Sequence, residues 1–382
     1  MDIRKHNYDW LVIGGGLFGC VFAHEMTKAG KKVAIVERRD KIGGNIRCDK
    51  SNGVIVHCYG AHIFHTNKKE IWDYVNKVTP LRHVTHSPMA KTPSGKILSL
   101  PFGMHTFNGL WPEITTPIQA REKINSQTAH WREIYPVPQN LKEKSLCFVG
   151  EDIFEELIRH YTEKQWNTAC ENLPPEIITR IPLRFTWDLS YFDDAFVGIP
   201  ENGYNPFIEK MVEGVDILTG IDYNKSKEDF KGIAANILYT GCIDEFYGYS
   251  LGRLGYRSLR FETKFEPLEN SQGCSVVNYT GPEVPYTRCI EHNYFAPNNY
   301  YEELVKSYEY PADFKEGAEP YYPIINQENK RLYSMYSELA KATPNIHFGG
   351  RLGLFQYMDM DDAIEAALKM ANRILLDESL TR

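Results

Sequence analysis

YDWLVIGGGLFGCVFAHEMTKAGKKVAIVE, running from Tyr8 to Glu37, opens with a short apolar run, Trp10 to Ile13, and breaks into Gly14-x-Gly16-x-x-Gly19. The run reads as a buried parallel strand and the glycines as the turn into a helix. Gly14 permits the tight turn, Gly16 lets the backbone approach a pyrophosphate with no Cβ in the way, and Gly19 lets the helix lie close on the sheet. The helix N-terminus then offers free N–H groups and a partial positive charge to phosphates. Gly30 ends the helix, Lys32 to Val36 gives a second strand, and Glu37 stands at its end, where a carboxylate accepts hydrogen bonds from a ribose 2′-hydroxyl. Three glycines alone also suit a purely structural turn. Strand, glycines, helix, strand and terminal acid in this order point to dinucleotide binding.

Downstream, Arg38 and Arg39 precede a second glycine pair, Gly43-Gly44-Asn45. Such a pair is similar to the FAD-binding pattern of glutathione-reductase-like and amine-oxidase-like flavoproteins, although read alone it also fits a surface turn. The 382 residues exceed one ordinary core and fit two or three domains. With 43 Lys and Arg against 50 Asp and Glu, the formal charge of -7 gives no general attraction to nucleic acid or anionic lipid. An anionic ligand must therefore be held by locally placed arginines. The eight cysteines form no CxxC pair, which fits a reducing cytosolic compartment and no structural zinc. The polar start followed by a short apolar run makes no signal peptide, and no stretch approaches the ~20 apolar residues of a membrane span. The expectation is a soluble, cytoplasmic protein without membrane insertion.

The stretch VIVHCYGAHIFHT, 54 to 66, carries His57, His62 and His65 at a spacing that matches no helix-borne metal motif, so a polar loop facing the cofactor is expected. Asn67 to Lys77 reads as a helix burying Ile71, Trp72 and Val75, and Ile97 to Leu100 as a strand. Helices follow at Ile118 to Ser126 and at Glu151 to Tyr161, where Phe154, Leu157, Ile158 and Tyr161 recur at helical spacing. Asn172 to Asp188 has three prolines, two arginines and no period, so it reads as a long exposed connection and a mobile lid. A helix at Pro206 to Val212 and strands at Val215 to Thr219 and Asn236 to Tyr239 return to the first pattern. Strands at Ser258 to Thr263, Ser275 to Tyr279 and Cys289 to His292 suggest an antiparallel sheet. Near the end, a strand at Asn345 to Phe348 leads into Gly349-Gly350-Arg351 and an amphipathic helix, Asp361 to Leu375, whose positive end is expected at the flavin ring. The plan is α/β. A Rossmann-like FAD-binding domain comes from 1–78, 204–246 and 341–382, and an antiparallel sheet domain from 79–117 and 247–340. A helical domain is inserted at 118–180, and 181–203 ends the mobile loop and connects it to the sheet.

Aromatic residues make up 13% of the chain, and they gather with basic residues at Tyr161 to Trp166, Arg180 to Phe192, Pro285 to Arg288, and Pro320 to Pro323 with Arg351 to Tyr357. Guanidinium forks and tyrosine hydroxyls suit a pyrophosphate, and flat rings suit a base and a sugar face. Each cluster alone fits packing. Together, on an acidic chain, they suggest a nucleotide-diphosphate ligand besides FAD. GGGLFG (14–19), Arg38 with IGGN (42–45), YGAHIFHT (59–66), YTEKQW (161–166), RIPLRF (180–185), YTG (239–241), VPYTR (284–288), EPYYP (319–323) and GGRL (349–352) resemble the bacterial UDP-galactopyranose mutases, nearly end to end.

The resemblance implies a nonredox flavoenzyme isomerase that interconverts UDP-galactopyranose and UDP-galactofuranose for cell-surface polysaccharide. In that family FAD, active when reduced, attacks the anomeric carbon through N5, with UDP as leaving group; a homodimer is also implied. Its catalytic set falls on Arg180, Arg288 and His65. Arg180 and Arg288 bracket the diphosphate, helped by the hydroxyls of Tyr191, Tyr322 and Tyr357. Tyr161 lies against the uracil, Trp166 borders the sugar and phosphates, Asn278 meets the galactose, and Thr162 and Phe192 complete the substrate set. The FAD set is Gly14, Gly16, Phe18, Gly19, Glu37, Arg38, Gly44, Asn45, His62, Ile63, Gly241, Gly350, Arg351, Tyr357, Asp359 and Met360. Tyr191 and Trp166 fit equally as core aromatics, and Asp359 as a cap of the last helix.

Two positions depart from the family pattern. His86 stands where similar members carry asparagine near the substrate phosphates, and Leu157 and Ile158 stand where some use phenylalanine against the uridine. Both bear on affinity and sugar tolerance, including N-acetylated galactose. A flavin oxidoreductase of the same fold would instead need an electron acceptor, and a non-catalytic nucleotide-sugar binder would leave a complete FAD site unexplained.

Overall fold

Trp10 and Val12 point to one side of their strand and Leu11 and Ile13 to the other, and all four are buried. Helices cover both faces of this sheet, so its strands carry unbroken apolar runs and not an alternation. The computed structural model describes residues 7–296, 300–315 and 317–380, with the side chains of Thr179 and Arg180 outside that description. Among the described residues the strands form sheets of five, seven, three and two. The five-stranded sheet is parallel, in the order Asp216–Leu218, Val33–Val36, Tyr8–Ile13, Ala234–Tyr239, Ile346–Phe348. Ile13 pairs with Val36 on one side and Tyr239 on the other, which brings Gly14, Glu37 and Thr240 to one edge. The chain order reverses beside Tyr8–Ile13, the position where ligands bind in open α/β sheets.

The seven-stranded sheet is mostly antiparallel, and its backbone is the pair Tyr256–Glu266 and Leu304–Asp313, in register from Arg257 opposite Asp313 to Glu266 opposite Leu304. The second strand of that pair was not legible, because Pro311 and the buried charges Lys306 and Glu309 interrupt its apolar pattern. Met89–Lys91 and Ile97–Ser99 extend the other edge. The helical unit packs Leu146, Ile153, Phe154 and Ile178, but also Phe102, Met104 and Phe107 before it and Leu183 and Phe185 after it, so it gathers chain from both sides of 118–180. Helix Pro117–Ile134 begins at a capping box in which the Gln119 N–H donates to Thr116 Oγ1 at 3.3 Å. Helix Gln327–Lys341 lays Tyr336 against Tyr247 on the nucleotide-binding side, away from the sheet that 247–340 otherwise forms.

Two expectations change. The stretch 172–188 is not exposed throughout, although Thr186, Trp187 and Asp188 are. Pro175–Arg180 is a 3₁₀ helix with Ile178 buried, and Phe185 packs on the helical core under Arg121. Arg184 donates its N–H to Phe102 O at 2.8 Å and its guanidinium to the carbonyls of Ser190 and Tyr191. Apolar anchors and one arginine thus fasten what prolines and missing periodicity made look loose. The second change concerns 54–66, where strands Val54–His57 and Phe64–Thr66 flank only a short loop, and His57 turns into the core against Phe295 and Tyr204.

A chain of histidines runs from that loop into the core. The His62 N–H donates to His57 Nδ1 at 3.1 Å, the His57 N–H to His292 Nδ1 at 3.3 Å, and His292 Nε2 lies 2.8 Å from Ser307 Oγ. Burial holds His57 well below the ordinary range and lowers His62 to about 4 and His292 to about 3, so the folded protein keeps all three neutral. Unfolded, each takes a proton near pH 6.5. Their contribution is complete above pH 6.5 and is lost as pH falls toward 4, by about 1.4 kcal/mol per pH unit per histidine. Urea midpoints are expected to drop steeply between pH 7 and pH 5; equal midpoints at both would contradict neutral burial.

Candidate active site

Where the glycine turn meets the parallel sheet, a cleft of about 610 Å³ opens and continues between the seven-stranded sheet and the helical unit. At its sheet end, Gly14 has φ +105°, and a Cβ there would stand 2.1 Å from Thr240 Oγ1. Gly44, at φ +55°, lies back to back with Gly16, and a Cβ on it would come 2.8 Å from Gly16 Cα. A Cβ on Gly16 itself would meet only Gly44 Cα, at 3.9 Å. The two glycine segments therefore form a cradle with open space at the N-terminus of helix Leu17–Lys28, which suits a pyrophosphate.

Glu37 is buried at the rim of this cradle. The Gly15 N–H donates to its Oε2 and the Arg39 N–H to its Oε1, each at 2.7 Å, so two backbone groups aim a carboxylate that still has lone pairs for a ribose. Arg38 and Arg39 both reach Glu319, at 3.2 and 3.0 Å, and Arg39 also donates to Asn45 Oδ1 and lies over the Tyr59 ring. Burial works against the charge on Glu319, yet the hydrogen bond and charge of Arg39, with Arg38, hold its carboxyl below the usual range. Asn224 donates to Tyr239 Oη at 2.7 Å, while its Oδ1 is buried without a partner among the described residues, an acceptor suited to a base amino group. Cradle, aimed carboxylate and orphan acceptor fit FAD. Phe18, Gly19, Ile63, Gly241, Gly350, Asp359 and Met360 line the same cleft.

Arg351 lines it too, but its guanidinium donates to Tyr321 O at 3.2 Å and Met358 O at 2.7 Å, tying two segments together. The helix whose N-terminus faces the cleft begins at Met360, not directly after the glycine-glycine-arginine turn, where only the short helix Gly350–Gly353 forms. His62 Nδ1 lies 2.8 Å from Gly60 O; since a carbonyl only accepts, Nδ1 carries the proton and Nε2 is left as an acceptor. His65 Nδ1 is likewise held by Asp194 at 2.8 Å, and its ring stacks on Phe192 at 3.9 Å.

The other wall carries Arg288. Its Nε donates to Glu309 Oε1 at 3.1 Å, and the two residues face each other across the strand pair Arg288–Glu291 and Leu304–Asp313. Burial opposes the arginine's charge, but Glu309 and the hydroxyls of Tyr161, Tyr322 and Tyr191 around it keep the guanidinium charged. Tyr322 stacks on Tyr357, and Asn278 donates to Met89 O at 3.2 Å. His86 also lines the cleft beside Tyr191 and Phe192; burial and the nearby Arg288 lower it to about 4, so it is neutral at pH 7.

Of the substrate residues expected, Tyr161, Tyr191, Phe192, Asn278, Arg288, Tyr322 and Tyr357 come together here. Thr162 is buried off the cleft, and Trp166 packs on the helical core, the alternative its sequence left open. The side chain of Arg180 lies outside the described residues. Glu309, Asn224 and Asp194 went unmarked because nothing near them in sequence signals their partners; Glu309 gains meaning only from the register that sets it opposite Arg288. Among the described residues, no helix is long and apolar enough to cross a membrane.

The family model for UDP-galactopyranose mutase matches residues 156–357, and that for an NAD(P)-binding Rossmann-like domain matches 12–78. A probable UDP-galactopyranose mutase of Klebsiella pneumoniae is 38% identical over 375 residues, 97% of this chain and 95% of that protein. A dTDP-fucopyranose mutase of Escherichia coli is 33% identical over 368 residues, 94% and 97% of the two chains. A crystal structure of reduced UDP-galactopyranose mutase shares the fold, with a TM-score of 0.72 over 97% of this chain and 94% of its own at 15% identity.

Proposed function

The chain belongs to the UDP-galactopyranose mutase family, and from that premise we propose that it interconverts UDP-galactopyranose and UDP-galactofuranose without net redox change, with FAD in its reduced state. The observation that carries this reading is the single cleft joining a dinucleotide cradle to a second wall of Arg288 and tyrosine rings. When bound, reduced FAD supplies a nucleophile, N5, for the anomeric carbon. The chain's own task is to hold the sugar and take up charge on the departing UDP.

Arg288 does the second. With Nε committed to Glu309, its Nη groups are left to bond a diphosphate, and the hydroxyls of Tyr191, Tyr322 and Tyr357 add donors. Arg180, whose side chain lies outside the described residues, joins the diphosphate set by the family resemblance alone. Tyr161 offers its ring to the uracil and Asn278 an amide to the sugar. His65, oriented by Asp194 and covered by Phe192, and neutral His62 line the cleft and would pack against the flavin, excluding water from it. Thr162 and Trp166, which pack behind the cleft wall, would act by supporting Tyr161 on their shared helix. The eight cysteines, all free, fit a reducing cytoplasm, where the homodimer would supply galactofuranose for cell-surface polysaccharide.

The test is anaerobic conversion of UDP-galactofuranose with and without dithionite, followed by chromatography. Many turnovers per flavin only with reductant is the expected result; no conversion by fully reduced, flavin-loaded enzyme would overturn the substrate assignment. The dTDP-fucopyranose mutase relative makes dTDP-fucose the second substrate to assay.

A further inference from the structure

Lys164 stands three residues beyond Tyr161 in helix His160–Trp166. Its Nζ donates to three carbonyls of one turn: Tyr279 O at 3.0 Å, Gly281 O at 2.9 Å and Val284 O at 3.1 Å. That turn connects Val276–Tyr279, which brings Asn278 to the cleft, with Arg288–Glu291, which begins at Arg288. Two more bonds close the same junction. Thr280 Oγ1 donates to Glu156 O at 2.6 Å, and Arg257 Nη2 donates to Gln165 O at 2.9 Å.

An ammonium has three protons, so three carbonyls saturate it, and no neutral side chain of its length can replace it. Charge-assisted bonds of this kind are about twice as strong as neutral ones. Lys164 does not line the cleft, whereas Tyr161 before it and Asn278, Thr280 and Arg288 around its turn all do. The ammonium therefore spans the joint between the cleft's two walls. We propose that Lys164 is a positioning residue: by tying the helix that carries Tyr161 to the turn that precedes Arg288, it sets the distance between ring and guanidinium and hence the affinity for a nucleoside diphosphate.

This role rests on the nucleotide-sugar reading of the cleft. Burial lowers Lys164 to about 8, against the opposing field of Glu283 on the turn. The other ionisable groups at the junction are Tyr279 and Arg257 from the sheet and Glu163 on the lysine's own helix. Between pH 7 and pH 9 the amine loses one of its three donors, and the joint slackens.

The experiment measures UDP affinity of the flavin-loaded protein by calorimetry, with KM and kcat under reducing conditions. Lys164→Met is expected to weaken UDP binding and raise KM by about tenfold, the effect of ~1.4 kcal/mol, with kcat and FAD content near wild type. Wild-type UDP affinity is expected to weaken from pH 7 to pH 9, and that of the variant to stay flat. The wild-type pH series stands even if the variant does not fold, and a flat series overturns the role. So does a variant that binds UDP as wild type does. Wild-type protein that binds no UDP at any pH overturns the reading of the cleft as well.

Discussion

Arg288→Ala is expected to lower kcat by about 10²- to 10³-fold while the protein still purifies with FAD, since one lost donor to a developing charge typically costs that much. The site gives a specific reason for the upper end. Glu309 is 2% exposed and has Arg288 across the strand pair as its ionic partner, so truncation strands a carboxylate beside the place proposed for a diphosphate. The loss then has two parts, missing donors and a new repulsion. Arg288→Ala combined with Glu309→Gln should recover part of the affinity for UDP that the single change loses, though not the turnover. Anaerobic turnover and the flavin spectrum, measured together, decide it. An Arg288→Ala enzyme within threefold of wild type would remove this arginine from the reaction.

Gly16→Val should give folded protein that purifies without flavin. The backbone at Gly16, φ -77° and ψ -179°, is one that any residue adopts, and the space a Cβ would take holds no atom of the chain within 3.9 Å. Glycine is needed here for what comes from outside. Gly44 differs, since its positive φ and the 2.8 Å approach to Gly16 Cα make a side chain there a structural fault. The melting temperature of Gly16→Val should match that of wild type stripped of FAD, because both lack only the stabilisation that a bound ligand confers. A variant that elutes yellow at full occupancy would contradict the placement of the pyrophosphate.

These two residues also show what could be read from sequence. Gly16 belongs to a signal in which each part lies within thirty positions of the others, strand, turn, helix, strand and Glu37, so the nucleotide-binding unit was legible throughout. Arg288 was found by its resemblance to a family string, but Glu309 and Lys164 act through partners more than 20 and 110 positions away, and no local pattern marks them. Leu304–Asp313 hid behind a proline and two buried charges, and the fastened loop 183–191 depends on Arg184 finding backbone carbonyls that only the fold supplies. Trp166 has the composition of a ligand residue and packs, half-buried, against the helical core.

The helical spacing of Phe154, Leu157, Ile158 and Tyr161 suggested one regular helix, yet residues Phe154–Arg159 wind as a π-helix between Glu151–Ile153 and His160–Trp166. Such a turn holds one residue more than an α-helix needs, and each residue of an α-helix advances about 100°. The widened segment is thus a phase shift written into the chain. Everything beyond it, Tyr161 and Lys164 included, is rotated by one residue's step relative to the core anchored by Phe154. Deleting any one residue within it would leave a straighter helix whose ring and ammonium look the wrong way, so this stretch tolerates exchange of letters better than a change in their number.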